Sequence, residues 1–290
     1  MGEISVTMRF FAVGLIILFS AATSLRAQDS GSSFDTAWTV LNTELADNNN
    51  DLRTRATRVL GELEGDPKAE KAALNALQND KQASVRAAGA QALGEMGAKD
   101  TTNQLHDAFQ DPDPSVIISA AHSLIQLGDN RGYNVYYAIL TGTQKTGTSL
   151  TEEQKKLLSD PKKMAALGGE VAVGFVPFGG LALSGYKLLT RDDTSPVLAA
   201  AALMLAKDPD PKSGNALADA SANKEKWLVR AAAFDALAKR GDPVYLDAAE
   251  AGLNDDQAQV RISAAAAVIR LTDIKSHPKA EAHKPAPRKK

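Results

Sequence analysis

The chain has 290 residues, no cysteine, and 33 basic against 35 acidic side chains, for a formal net charge of −2. That length can bury a substantial core. The lack of Cys excludes a disulfide framework, a thiolate zinc site, an iron–sulfur cluster, a cysteine nucleophile and a lipid-modified cysteine anchor, and only four histidines (His106, His122, His277, His283) remain for catalysis.

The first segment reads as an address. Arg9 precedes the apolar run Phe10 to Leu18, and the small residues Ser20, Ala21, Ala22, Ser24 and Ala27 follow. This order predicts a secretory signal peptide over 1–27, cut after Ala27 or Ala22. Its uncharged stretch, Phe10 to Leu25, is 16 residues, short of the roughly 20 that a spanning helix needs. The chain is therefore expected to be exported, periplasmic or secreted. The leader carries one net positive charge and the tail 275–290 carries five, which leaves the body with eight net negative charges. An acidic body argues against a nucleic-acid groove. The Pro- and Lys-rich tail has too little apolar bulk to order itself.

From 28 onward the chain repeats. Anchors at Leu52, Val85, Val116, Val197, Val229 and Val260 are spaced by 33, 31, 81, 32 and 31 residues. Five positions before them stand Asp47, Asp80, Asp111, Asp192, Lys224 and Asp255; four positions after, the residue is always small (Ala56, Gly89, Ala120, Ala201, Ala233, Ala264); eight positions after come Leu60, Leu93, Leu124, Leu205, Leu237 and Val268. The residue after the anchor is Arg in four units: Arg53, Arg86, Arg230 and Arg261. Positions 0, +4 and +8 share one side of an α-helix. The Asp column falls ahead of the helix start, where a carboxylate accepts backbone N–H groups. The Arg column is placed to reach an Asp of its own or a neighbouring unit, as a ladder. Gly65, Gly97, Gly128 and Gly241 close helices. A less regular helix precedes each anchored one, for example Thr36–Ala46, Lys68–Leu77, Asp100–Phe109, Gly214–Ala220 and Pro243–Leu253. Such a helical hairpin covers its apolar side only by stacking on others.

The step of 81 marks a departure. Residues 141–160 are polar, and 164–189 are apolar and Gly-rich, with Pro177 inside. Three readings stay open for this non-repeat segment, 144–190: a decorated repeat packed on the array, a recognition loop, or a membrane-contacting element. Val171 to Tyr186, 16 uncharged residues, is too short and interrupted for a simple spanning helix. Half of the body's 12 aromatics fall between 133 and 186. Tyr133, Tyr136, Tyr137, Phe175, Phe178 and Tyr186 are thus the candidate partner-binding residues.

Motifs for catalysis are missing. Gly142, Gly147, Thr148 and Ser149 mimic a phosphate-binding loop, but Thr148 stands where the lysine is required and a helix precedes it. His106 and His122 lack a third metal ligand, and Asp111-Pro-Asp-Pro and Asp208-Pro-Asp-Pro read as turns. No catalytic residue, metal or cofactor is expected.

The segments SVRAAGAQALGEMG, WLVRAAAFDALAKRGD and QVRISAAAAVIRL resemble HEAT repeats, in the wording of the short HEAT-like subclass named for phycobilisome lyases. The likeness covers about 34–143 and 191–274. It implies an all-α, armadillo-like α-solenoid, a right-handed superhelix of HEAT-like hairpins with a central Gly-rich insertion. The domains follow as a signal peptide (1–27), N-terminal repeats (28–143), the insertion (144–190), C-terminal repeats (191–274) and a basic tail (275–290). The function implied is a non-enzymatic, protein-binding scaffold in the bacterial envelope, gripping its partner with a concave face lined by the anchored helices. Two alternatives stand beside it: a lyase-like chaperone by fold analogy, and an envelope protein held to membrane through 164–189 and the tail. Ile117 and Leu198 replace the Arg, and Lys224 the Asp, so the ladder is interrupted in the middle units.

Overall fold

The computed structural model describes residues 33–141, 151 and 195–277. The expected leader, the insertion apart from Thr151, Asp192, Phe175, Phe178, Tyr186 and the tail beyond His277 lie outside the described residues, as does the side chain of Tyr137.

Twelve helices and several short 3₁₀ turns are described, and no strand is found among the described residues. The anchored helices are α2 (Asn50–Val59), α4 (Ala83–Glu95), α6 (Pro114–Gln126), α8 (Ser195–Leu205), α10 (Trp227–Arg240) and α12 (Ala258–Ser276). Their partners are α1 (33–45), α3 (Pro67–Asn79), α5 (Thr102–Asp107), α9 (Pro211–Ser221) and α11 (Leu246–Ala251); α7 (Gly132–Thr141) follows α6. The result is an all-α solenoid of helical hairpins.

Local chemistry sets the helix starts and stops. Asp66, Asp113 and Asp210 cap α3, α6 and α9 through their carboxylates, each followed by a proline in the first turn. The repeat-column Asp sits two residues ahead of the N-cap. Asp80, Asp111 and Asp255 each accept the backbone N–H two residues on, at 2.8–2.9 Å, and so fix the turn that leads into the helix. Gly65, Gly97, Gly128 and Gly241 all have φ between 66° and 85°, the left-handed conformation in which a side chain would be strained.

Val85, Val116, Val229 and Val260 are buried in the core, as are Leu60, Leu93, Leu124, Leu237 and Val268 eight residues on. The small column has a packing reason. A Cβ on Gly89 would stand 2.7 Å from the Ala73 carbonyl oxygen and the Leu77 backbone nitrogen, so α3 lies directly on α4 there. Ala201 departs from its column and is exposed.

The order of packing differs from the order along the chain. α2 packs on α4 and α4 on α6; α8 packs on α10 and α10 on α12; and α12 packs on α2. The anchored helices therefore form one row, α8–α10–α12–α2–α4–α6, in which the last unit of the chain stacks on the first. We call that junction the seam. It explains why α12 is apolar all round: Ile262 and Ala264 to Ile269 are all buried, as expected for a helix in mid-row. α8, at one end of the row, instead exposes Leu198 and Met204.

Candidate functional site

The Arg column forms one edge of the row. Arg53 donates to both Asp80 oxygens (3.0 and 3.2 Å) and to the Asp47 carbonyl (2.8 Å). Arg86 does the same with Asp111 (2.7 and 2.9 Å) and the Asp80 carbonyl (3.0 Å). Arg230 holds Asp255 (2.7 and 2.8 Å). Each Arg thus joins its own unit's turn to the carboxylate of the next. These hydrogen bonds raise the pKa of Arg53, Arg86 and Arg230. Burial works against Asp80 and Asp255, but the hydrogen bonds from Arg53 and Arg230 bring both below the usual carboxylate range. At the seam the ladder continues: Arg261 donates to the Asp255 carbonyl (2.9 Å) and to Glu44 (3.3 Å), near the end of α1. Ile117, in the Arg position of α6, is buried in the core, and Leu198 is 44% exposed.

The inner face of the row carries a different chemistry. Lys239 of α10 approaches Glu62 to 3.7 Å, although α12 separates α10 from α2 in the row. Helix neighbours stand roughly 8–10 Å apart, so a flat row would keep those two groups apart. The row is curved, with the +3, +6 and +10 positions of the anchored helices turned inward. Six ionisable side chains meet there: Arg55, Arg58 and Glu62 from the first unit, Glu95 from α4, and Asp235 and Lys239 from α10. Arg55 ties the seam, donating to Asp235 (2.9 Å), to the Gln259 carbonyl (3.3 Å) and to the Ser263 hydroxyl. Arg270 reaches Glu64 (3.2 Å) on the rim.

Electrostatics mark this place out. Burial pushes the Glu62 carboxyl well above its ordinary range against the pull of Lys239, with Asp235 and Glu95 adding to the rise. Burial likewise raises Glu95, against Lys239 and Arg58. Burial, and then Arg55, lowers Arg58. Arg58 and Glu62 are half-buried, and Glu95 is exposed at the rim. We call this charged inner face the recess; shifted ionisable groups gathered in one place are functional-site candidates.

Of the expected partner-binding aromatics, the side chains of Tyr133 and Tyr136 fall among the described residues, and they differ in exposure. Tyr133 is 51% exposed. Tyr136, on the same helix, packs against the core, and burial pushes its hydroxyl up to about 12. Among the described residues no group of three His, Asp or Glu side chains could hold a metal. His106 packs on Phe109 with ring centres 5.2 Å apart. A second concavity of about 590 Å³ lies between α9, α10 and α11 near Trp227, but the ladder already uses its Arg230 and Asp255. No described helix is long and apolar enough to cross a membrane.

Sequence reasoning passed over the six recess residues because it followed the buried columns. Their signal was available in the same register. At +3 the other units carry Ala88, Ser119, Ala200, Ala232 and Ser263 where the first carries Arg55; at +6 stand Arg58, Gln91, His122, Leu203, Asp235 and Ala266. Charge beside a buried stripe, concentrated in a few units, was the mark.

The HEAT-repeat family profile matches residues 39–125, 70–142 and 186–270, together well over half of the chain. The chain belongs to the HEAT-repeat family. A comparison with curated proteins gives no match. Among solved structures, the complex of CpcE and CpcF of phycocyanin lyase from Nostoc sp. PCC7120 is similar at 20% identity, covering 82% of this chain and 93% of that one, with a TM-score of 0.33. Human deoxyhypusine hydroxylase in complex with glycerol is similar at 18% identity, covering 87% and 99%, also with a TM-score of 0.33. Likeness at this level carries no argument about activity, so the function of this HEAT-repeat chain has to be read from its own recess.

Proposed function

We propose that this HEAT-repeat chain is a non-enzymatic, protein-binding scaffold and that it grips its partner in the recess at the seam. The observation that carries the proposal is the set of buried, incompletely paired charges on the inner face. Arg58 Nε, Glu62 Oε2 and Asp235 Oδ1 have no hydrogen-bond partner. Leaving such groups unpaired costs about 1–3 kcal/mol each, a cost that binding a polar partner would remove. Export to the bacterial envelope is part of the proposal and rests on the leader 1–27; N-terminal sequencing of protein recovered outside the cytoplasm should then begin at Gln28 or Thr23.

The test is photo-crosslinking with the full chain. A photoreactive residue replaces Gln91, on the inner face, or Lys71, on the exposed side of α3. Capture of a discrete partner from Gln91 but not from Lys71, lost in Arg58→Gln, supports the scaffold. Equal capture from both positions, insensitive to Arg58, contradicts it.

A further inference from the structure

Six charges face one another across the seam, three positive and three negative. Two contacts account for four of them: Arg55 with Asp235 at 2.9 Å and Lys239 with Glu62 at 3.7 Å. Arg58 and Glu95 are left over. Among the described residues neither side chain has a hydrogen bond or an ion pair within 4 Å, although each feels the other's charge. Arg58 is half-buried, and its Nε is shut away from water with no hydrogen-bond partner. A close-packed array gains nothing in stability from such an arrangement; an unpaired buried charge is destabilising.

The complement of this recess follows from the charges in it. A phosphate dianion would meet Glu62, Glu95 and Asp235. A bare cation would meet Arg55, Arg58 and Lys239. An apolar side chain would strip the water from Arg58 and Glu95 and replace it with nothing. A ligand with one carboxylate and one cation neutralises both leftover groups. A guanidinium presents a planar fork that matches a carboxylate in two hydrogen bonds, and a carboxylate accepts from an ammonium or guanidinium.

We infer that the recess binds a partner segment bearing one acidic and one basic side chain, the acid on the Arg58 guanidinium and the base on the Glu95 carboxylate. This rests on the reading of the recess as the binding face and names the chemistry of what enters it. Both contacts lie on the first two units, with Asp235 and Lys239 of α10 facing them across the seam.

The experiment uses the full chain and three capped peptides: acetyl-Asp-Ala-Lys-amide, acetyl-Asp-Ala-Ala-amide and acetyl-Ala-Ala-Lys-amide, titrated by NMR at low millimolar concentration. The doubly charged peptide should bind about tenfold more tightly than either singly charged one, the difference expected of a charge-assisted hydrogen bond. Arg58→Gln should erase the advantage of Asp and keep that of Lys. Glu95→Gln should do the reverse, and Arg58→Lys, which keeps the charge without the fork, should fall between. Far-UV circular dichroism establishes that each variant is folded. Equal affinity for the three peptides, or an advantage unaffected by both substitutions, overturns the inference. If Gln91 crosslinking still depends on Arg58 while the peptides are not distinguished, the two-charge chemistry falls and the scaffold stands. If both fail, both fall.

Discussion

Arg86 shows what a single side chain does in this array. Its guanidinium donates to both oxygens of Asp111 and to the carbonyls of Asp80 (3.0 Å) and Lys81 (3.1 Å), so one residue ties two units together. The pair is largely shielded, with side-chain exposures of 15% and 11%. Arg86→Ala should lower unfolding free energy by about 2 kcal/mol, since it strands a charged acceptor. Arg261→Ala should cost less, about 0.5–1 kcal/mol, because its contact to Glu44 is a single one at 3.3 Å and Arg261 is 30% exposed. Urea titration of the two variants checks the order; an equal loss would contradict it. Arg58 predicts the opposite sign. Arg58→Met should raise stability by about 1 kcal/mol by removing a half-buried charge whose Nε has no partner, while abolishing the Asp preference of the peptides.

The recess carboxylates fix a pH dependence. Because Glu62 and Glu95 have raised pKa values in the folded chain, their stability contribution is full below the ordinary glutamate value and is lost as pH rises through the raised values. Asp80 and Asp255, held low, behave inversely: their contribution is present above the ordinary aspartate value and disappears as pH falls through the lowered one. Glu62→Gln should therefore melt at a higher temperature than the parent near neutrality, and the gap should close on acidification towards the ordinary glutamate range. A gap that is constant across that window would mean that Glu62 is not shifted. At this scale the ladder residues were legible, because a fixed offset from a repeated anchor identifies them. Arg58 and Glu95 were not, because their meaning depends on which helix lies opposite.

At the scale of the element, sequence and structure agree wherever the physics is local. The proline-preceding Asp66, Asp113 and Asp210 and the four left-handed glycines punctuate the chain where their chemistry requires. The apolar columns at 0, +4 and +8 identify the inner helices because they repeat at helical spacing. Gly89 adds a packing constraint that a small-residue column only hints at. Gly89→Ala would drive a methyl group into the backbone of α3 at Ala73 and Leu77. It should cost about 1–3 kcal/mol, despite the better helix propensity of alanine, and thermal unfolding reads this directly. A neutral or stabilising outcome would show that α3 can move away from α4.

At the scale of the molecule the determining feature is the seam. Two runs of units were evident from the repeat; the order in which they stack was not. That order depends on complementarity between α12 and the first unit, residues some 200 positions apart, and no column within one unit encodes it. Arg261 repeats the Arg column on α12, and its carboxylate partner, Glu44, comes from α1. The seam also gives the step of 81 a geometric reason. The row ends at α6, with α7 beyond it, and begins at α8, so residues 142–194 link its two ends. Six helices at roughly 10 Å spacing separate those ends by up to about 50 Å. A short turn cannot cover that distance, whereas 53 residues can.

The lack of cysteine permits a direct trial of the seam. Glu44→Cys and Arg261→Cys, introduced together in the full chain and treated with a short bismaleimide, should join α1 to α12 within one molecule, and peptide mapping should recover a single linked pair at these two positions. Glu44→Cys paired with a cysteine at exposed Met204, at the far end of the row, should not link. If the first pair fails to join within one chain, or links only between molecules while the protein is folded, the last unit does not stack on the first, and the recess that depends on that junction does not exist.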